Sequence, residues 1–288
     1  MKVTIAIPFY NAEAYLLDAI RSVFAQTHAE WELILIDDGS TDGSLKIANS
    51  INDPRVRVIS DGKNKRLAGR LNEVTKLAKY DYIVRMDADD LMLPNRIETQ
   101  LAVFKENPEI DIVTTGVFST LNNLTLKGIR GQSYNEATFK DIISRRRAVT
   151  HASIIAKKSW YERWEYDERL SIAQDLELWI RASYNNDFKI VSIADPLYVY
   201  REEDNVTGYK LLRAYANERQ MISKYSFGVL KYKLSLKSYF KSAFVRLLIL
   251  FDKVDILLAR RANGEMLETD KQKLENAIQQ IHAVKLPL

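Results

Sequence analysis

The sequence predicts an α/β protein, with a mostly parallel central sheet, helices on both faces and a helical carboxyl-terminal region. Three observations carry this expectation. Short apolar runs at Val3–Pro8, Glu32–Ile36 and Tyr82–Met86 alternate with amphipathic stretches through the first 118 residues, the pattern of repeated βαβ units. Two of these runs end in carboxylates, Asp37-Asp38 and Asp87-Ala88-Asp89-Asp90. Open parallel sheets bind ligands at the carboxyl ends of their strands, where both clusters fall. From Leu211 onward glycine is scarce and helical periodicity takes over.

The elements follow in order. Val3–Pro8 is a strand. Glu13–Gln26 is a helix, because Tyr15, Leu16, Ala19, Ile20, Val23 and Phe24 share one stripe. Glu32–Ile36 is a strand, and Thr41 or Asp42 caps a helix to about Ile51. Arg55–Ile59 is a strand, Ala68–Ala78 a helix and Tyr82–Met86 a strand. Pro94 suits the first turn of a helix reaching Phe104, and Asp111–Phe118 is a further strand. The pattern changes after Gly116. Thr120–Gly131 reads as extended chain with turns, Asn135–Arg145 as helix and Thr150–Ile155 as strand. Gln174–Tyr184 is a helix, and Lys189–Ile193 and Leu197–Arg201 are strands. A boundary is expected near Asp204–Gly208.

Composition removes several chemistries. The chain has 288 residues, 47% of them hydrophobic, enough for a substantial core. It has no cysteine, which excludes disulfides, thiolate metal sites and cysteine nucleophiles. Its three histidines are scattered, so any metal is expected on oxygen ligands, as Mn²⁺ or Mg²⁺. The net charge of +4 hides an asymmetry: residues 224–261 hold nine basic and two acidic side chains. A local excess of this kind points to one basic surface and not to nucleic-acid binding. No signal peptide is visible and no segment approaches the ~20 apolar residues that span a bilayer, so a cytoplasmic protein is expected. Asn123-Leu124-Thr125 and Asn205-Val206-Thr207 match a glycosylation pattern and are read as coincidental.

The acidic clusters are the chemical signals. Asp87 and Asp89, one residue apart at a strand end, can share a divalent cation or divide between a metal and a ribose hydroxyl; a solvated acidic turn is the plainer reading. In Asp37-Asp38-Gly39-Ser40-Thr41-Asp42-Gly43, Gly39 permits a tight turn, and a buried carboxylate there can accept a base N–H. Asp175 shares a helix face with Leu178 and Trp179. That makes it either a helix-start cap or a site carboxylate, with Glu177 facing away into solvent. Arg66 and Arg70 lie one turn apart, suited to phosphates or to an ordinary basic face. His151 fits a satisfied, semi-buried histidine better than a ligand.

In chain order, Ile7-Pro8-Phe9-Tyr10-Asn11-Ala12-Glu13, Asp37 to Asp42, Arg70 with Asn72, Asp87 to Asp90, and Gln174-Asp175 leading into Leu178-Trp179 together resemble the family 2 glycosyltransferases, inverting enzymes with the GT-A fold. The resemblance covers roughly Val3 to Thr207. It implies a GT-A catalytic domain over 1–207, with a nucleotide-binding half (1–118) and an acceptor half (119–207), and leaves 208–288 as a helical appendage. Pro8, Phe9, Tyr10 and Asn11 would lie against the nucleotide through backbone groups. Asp38 would accept the uracil N3–H, favouring UDP-sugars. Asp89 would ligate the metal, with Asp87 and Ala88 beside the ribose or metal shell, and Arg70 would cradle the diphosphate. Asp175 would be the general base on the acceptor hydroxyl. Arg66, His151, Gln174, Trp179 and Arg201 are further candidates for acceptor or diphosphate contacts. The implied reaction moves a hexosyl or N-acetylhexosaminyl group from a nucleotide-sugar to a glycan or lipid-linked acceptor in bacterial surface-polysaccharide synthesis. Two departures stand out: Gln174 replaces the usual acid before the base, and Asn64-Lys65-Arg66-Leu67 lacks a glycine often found there.

Two other classes compete. A catalytically silent sugar-nucleotide-binding protein would not need Asp38, Asp89 and Asp175 together. A dinucleotide oxidoreductase would need a glycine-rich turn where this chain has Pro8-Phe9-Tyr10-Asn11. In the carboxyl-terminal region, Leu236, Phe240, Phe244, Leu247 and Phe251 follow helical spacing beside Lys233, Lys237 and Lys241. This stripe either makes peripheral membrane contact, within 224–261 and at the inner face of the cell membrane, or packs on the catalytic domain or a second copy. Homo-oligomerisation is left open.

Overall fold

The computed structural model describes residues 1–202, 207–251, 253 and 267–288. The expected boundary at Asp204, the Asn205 pattern and the end of the basic run at Arg260 and Arg261 lie outside the described residues. The strands are β1 (Val3–Phe9), β2 (Trp31–Asp37), β3 (Val56–Ile59), β4 (Tyr82–Arg85), β5 (Leu91–Met92), β6 (Ile112–Thr120), β7 (Leu126–Arg130), β8 (Ile155–Lys157) and β9 (Ile190–Arg201). The helices that alternate with these strands are α1 (Leu16–Phe24), α2 (Ser44–Asn49), α3 (Arg66–Leu77), α4 (Arg96–Glu106), α5 (Phe139–Ile143), α6 (Lys158–Arg163) and α7 (Gln174–Tyr184). Then follow α8 (Gly208–Tyr225), α9 (Gly228–Leu250) and, as α10, Glu268–Ala283.

The sheet runs β3-β2-β1-β4-β8-β6-β9-β5, with β7 pairing β6. The first four strands are parallel, as the βαβ repeat requires. Beyond β4 the pairing becomes mixed: β8 is antiparallel to both β4 and β6, while β6 and β9 are parallel. Side chains alternate across the sheet. Val3, Ile5, Ile7, Leu33 and Leu35 join one core with α1 and α4. Ala6, Ile34 and Ile36 join the other, with α3, α6, α7 and α8. Both faces are therefore covered.

The differences from expectation have local causes. The helix foreseen over Asn135–Arg145 shrinks to α5, capped by Thr138 and Asp141, because a β-bridge between Tyr134 and Ser192 keeps the preceding chain extended. Thr150–Ile155 splits into a 3₁₀ turn at His151–Ser153 and β8. The two strands foreseen near the end of the domain are one strand, β9, whose register with β6 shifts at Gly116. A Cβ on Gly116 would lie 2.2 Å from the Ala194 carbonyl oxygen, so only glycine allows this approach. Gly116→Ala is therefore expected to lower thermal stability measurably; an unchanged melting temperature would contradict the fit.

The helix α10 returns to the sheet. Leu274, Ala277 and Ile281 pack on Leu91, Leu93, Phe118, Leu197 and Val199.

Candidate active site

The ends of β1 and β2 are tied together. The Asp38 N–H donates to the Phe9 carbonyl. Asn11, in a left-handed conformation (φ 49°), donates its N–H to Ser40 Oγ and accepts from the Thr41 N–H. Pro8 and Phe9 are buried in β1, while Tyr10 is exposed at the rim. Only their backbone groups, and Tyr10 and Asn11, remain for a ligand.

Asp38 is buried and organises the start of α3. Its carboxylate accepts the Lys65 N–H at 2.7 Å, the Arg66 N–H at 3.0 Å and Arg70 Nε at 2.9 Å. These bonds hold Arg66 at φ 63° without a glycine, which answers the departure noted in the sequence. The approach of Lys63-Asn64 to the loop is close: a Cβ on Gly39 would lie 3.1 Å from the Lys63 carbonyl carbon. Arg70, expected against a diphosphate, is 1% exposed. Besides Asp38 it donates to Glu73 (2.7 Å), Asp61 (2.7 Å) and the Lys63 carbonyl (2.5 Å). Burial disfavours its charge, but the three carboxylates more than offset this and hold its pKa above the ordinary arginine value. Arg70 thus clamps the loop, and the exposed Arg66 is the arginine left open to solvent there.

At the end of β4, Asp87, Asp89 and Asp90 present oxygen atoms all within 4.8 Å of one another. Asp87 is held by Arg85, at 2.6 and 3.2 Å. Asp90 is 1% exposed, accepting the Tyr198 hydroxyl and the Arg201 N–H, both at 2.9 Å. Tyr198 Oη also accepts the Asp87 N–H at 3.0 Å. The Arg201 side chain donates to the Asp89 carbonyl and, at 3.1 Å, to that of Asn122, and lies over the Tyr15 ring. Burial first, and then the negative charge of Asp87, raise the pKa of Asp89. Asp90 is raised well above the carboxylate range by burial and by Asp89 and Asp87. Three crowded hard oxygen donors with this surplus of negative charge suit a divalent cation. Ala88 is buried between them.

Asp175 lies in the first turn of α7, which follows Ala173 in a left-handed conformation (φ 63°). No side chain caps this helix start. Asp175 lines a cavity of about 340 Å³ with Arg145, Arg147, Val149, Leu176 and Trp179. Gln174 is half-buried beside it. Trp179 is a core residue 5.7 Å from the His151 ring, and its buried Nε1 has no hydrogen-bond partner among the described residues. His151 Nε2 meets the Tyr166 hydroxyl at 2.8 Å. Burial, and then the charge of Arg85, push the His151 pKa well down. A histidine with a depressed folded pKa binds fewer protons folded than unfolded, so its stability contribution is whole above about pH 6.5 and declines below it. His151→Gln is expected to flatten the fall of melting temperature between about pH 6.5 and 5; an identical slope would contradict this. Glu177, expected in solvent, is instead buried between α7 and α8, bound to Arg181 (2.9 Å) and the Tyr225 hydroxyl (3.4 Å).

The Asp175 cavity includes neither Asp38 nor Asp89. Arg85 grips Asp87 at the cluster, while Trp179 of the Asp175 cavity meets the His151 ring, which is bonded to Tyr166. Arg85, Tyr166 and Tyr198 were not singled out from sequence, and Asp90 stood in the acidic cluster without a role of its own. An arginine inside the apolar run of β4 was the available signal.

Comparison with known proteins decides the family. Residues 4–164 match the model of glycosyl transferase family 2. The EpsE protein of Bacillus subtilis is 32% identical over 213 residues, 71% of this chain and 74% of its own length. The chain belongs to glycosyl transferase family 2. As a family 2 glycosyltransferase it is also 26% identical to WcaA of Escherichia coli K12, named for colanic acid biosynthesis, over 71% of this chain and 75% of that protein. Among solved structures, Staphylococcus aureus TarS residues 1–349 in complex with UDP aligns with a TM-score of 0.63 at 19% identity, covering 98% of this chain and 80% of that one. A Pyrobaculum calidifontis mannosyltransferase with GDP-Man and Mn²⁺ aligns with a TM-score of 0.58 at 15% identity, over 98% and 86%. These two likenesses establish the shared fold, including the helical carboxyl-terminal region.

Proposed function

We propose that this glycosyltransferase moves a sugar from a UDP-sugar, with inversion and with the help of a divalent cation, to a hydroxyl of a glycan or lipid-linked acceptor in surface-polysaccharide synthesis. One observation carries the reading: the Asp87, Asp89 and Asp90 carboxylates crowd together at the end of β4, beside the loops that close β1 and β2. Asp89 and Asp90, with Asp87, would hold Mn²⁺ or Mg²⁺, which supplies charge neutralisation for a departing diphosphate. Asp38 keeps lone-pair capacity on Oδ2 for a base N–H, and Arg66 is exposed at the start of α3 for phosphate contact. Asp175 would take the proton from the attacking hydroxyl, a single displacement that inverts the anomeric centre. Arg145 and Arg147 in the Asp175 cavity suit an acceptor carrying a phosphate or carboxylate. The presence of Asp38, Asp89 and Asp175 in one chain disfavours a silent binding protein.

The test is a panel of sugar nucleotides, scored by thermal stabilisation and turnover with and without EDTA. UDP-sugars should stabilise and turn over, and EDTA should abolish turnover; a preference for GDP-sugars would remove the Asp38–uracil assignment. Calorimetry of UDP with Mn²⁺ should show affinity at least ~10-fold weaker in Asp89→Ala, about 1.4 kcal/mol. Unaltered binding in that variant would count against the cation role.

A further inference from the structure

The helix α9 is apolar on both sides. Its inner stripe, Leu234, Ser238, Ser242, Val245 and Leu248, is buried, packing chiefly toward α8. Hydrogen bonds join the two helices from Arg219 to Ser242 (2.7 Å) and from Ser238 to Glu218 (3.2 Å). At 3.6 residues per turn the opposite side carries Tyr232, Leu236, Tyr239, Phe240, Leu247 and Leu250. All six are exposed, Tyr232 at 77%, Phe240 at 67% and Leu250 at 76%. The stripe read from the sequence either as a membrane contact or as a packing face, Leu236, Phe240, Phe244, Leu247 and Phe251, is thus exposed. An exposed apolar surface this long, about 27 Å along the axis at 1.5 Å per residue, signals an interaction site.

The charges name the partner. Every charged residue of α9 is positive: Lys231, Lys233, Lys237, Lys241 and Arg246. On the helix they flank the apolar stripe, with Lys233 and Lys237 on one border and Arg246 on the other. Two copies packed through this face would bring like charges together with no acidic partner on either helix. An anionic lipid surface receives both features, the apolar stripe entering the headgroup boundary and the lysines reaching phosphates. Lys241, on the same flank, pairs with Glu218 of α8 at 3.8 Å.

We infer that the exposed face of α9 docks the protein on an anionic membrane surface. The docking stands on α9 alone, so it can fail or hold independently of the donor assignment. The experiment is sedimentation of the full chain with phosphatidylcholine vesicles containing or lacking phosphatidylglycerol. Binding is expected only to the anionic vesicles, and high salt should weaken it. Lys233→Glu/Lys237→Glu and Phe240→Ser/Leu247→Ser should each lower partitioning at least 10-fold, with melting temperature and UDP-sugar hydrolysis unchanged. No binding to anionic vesicles, or binding indifferent to charge reversal, overturns the inference. A dimer in solution that Phe240→Ser disperses, without vesicle binding, assigns the face to a second copy and overturns it as well.

Discussion

Replacing Asp175 by asparagine should reduce sugar transfer by roughly 10²-fold or more while leaving UDP affinity intact. The substitution keeps the size of the side chain and its place in the first turn of α7. It removes only the capacity to accept a proton. If Asp175 served only as a negative charge in the first turn of the helix, its loss would cost about 0.3–1 kcal/mol of stability, and turnover would persist. Single-turnover kinetics alongside calorimetry of UDP separate the two. A loss of affinity with normal chemistry would place Asp175 on the donor side instead.

Arg70→Leu should cost about 3–5 kcal/mol, the range for removing one partner of a buried ion pair. The estimate rests on Asp38 alone. Asp61 and Glu73 are about a third exposed and their pairs with Arg70 are screened by water. Without the guanidinium, Asp38 would be left as a buried carboxylate with only two backbone N–H partners. Against a total stability of about 5–15 kcal/mol, this is a large fraction. Denaturant unfolding measures it directly, and UDP affinity should fall in parallel as the 63–66 loop loosens. A loss under about 1 kcal/mol, typical of exposed pairs, would show that the clamp is dispensable.

The parallel half of the sheet was legible because Val3–Phe9 and Trp31–Asp37 are buried along their length, leaving short apolar runs between amphipathic helices. The acidic clusters were legible because charge at the end of such a run needs a reason. The second half was less so. Tyr134 is held extended by Ser192, a partner 58 positions away, and no local pattern announces it. Gly116 looked like an ordinary strand residue until Ala194 lay against it. Arg70 was read by its charge, yet its role is set by three acids drawn from separate segments. Glu177 fell on the polar side of its own helix, and only α8, packed across it, turns that side inward. In each case distant chain decides what a side chain meets.

The last helix fastens onto the strand that carries Tyr198 and Arg201, through Leu197 and Val199. Those two residues hold Asp90. Losing the final twenty or so residues would therefore be felt at the carboxylate cluster, far along the polypeptide. Trimming the tail to ease crystallisation or expression would blunt cation affinity even though no ligand had been deleted.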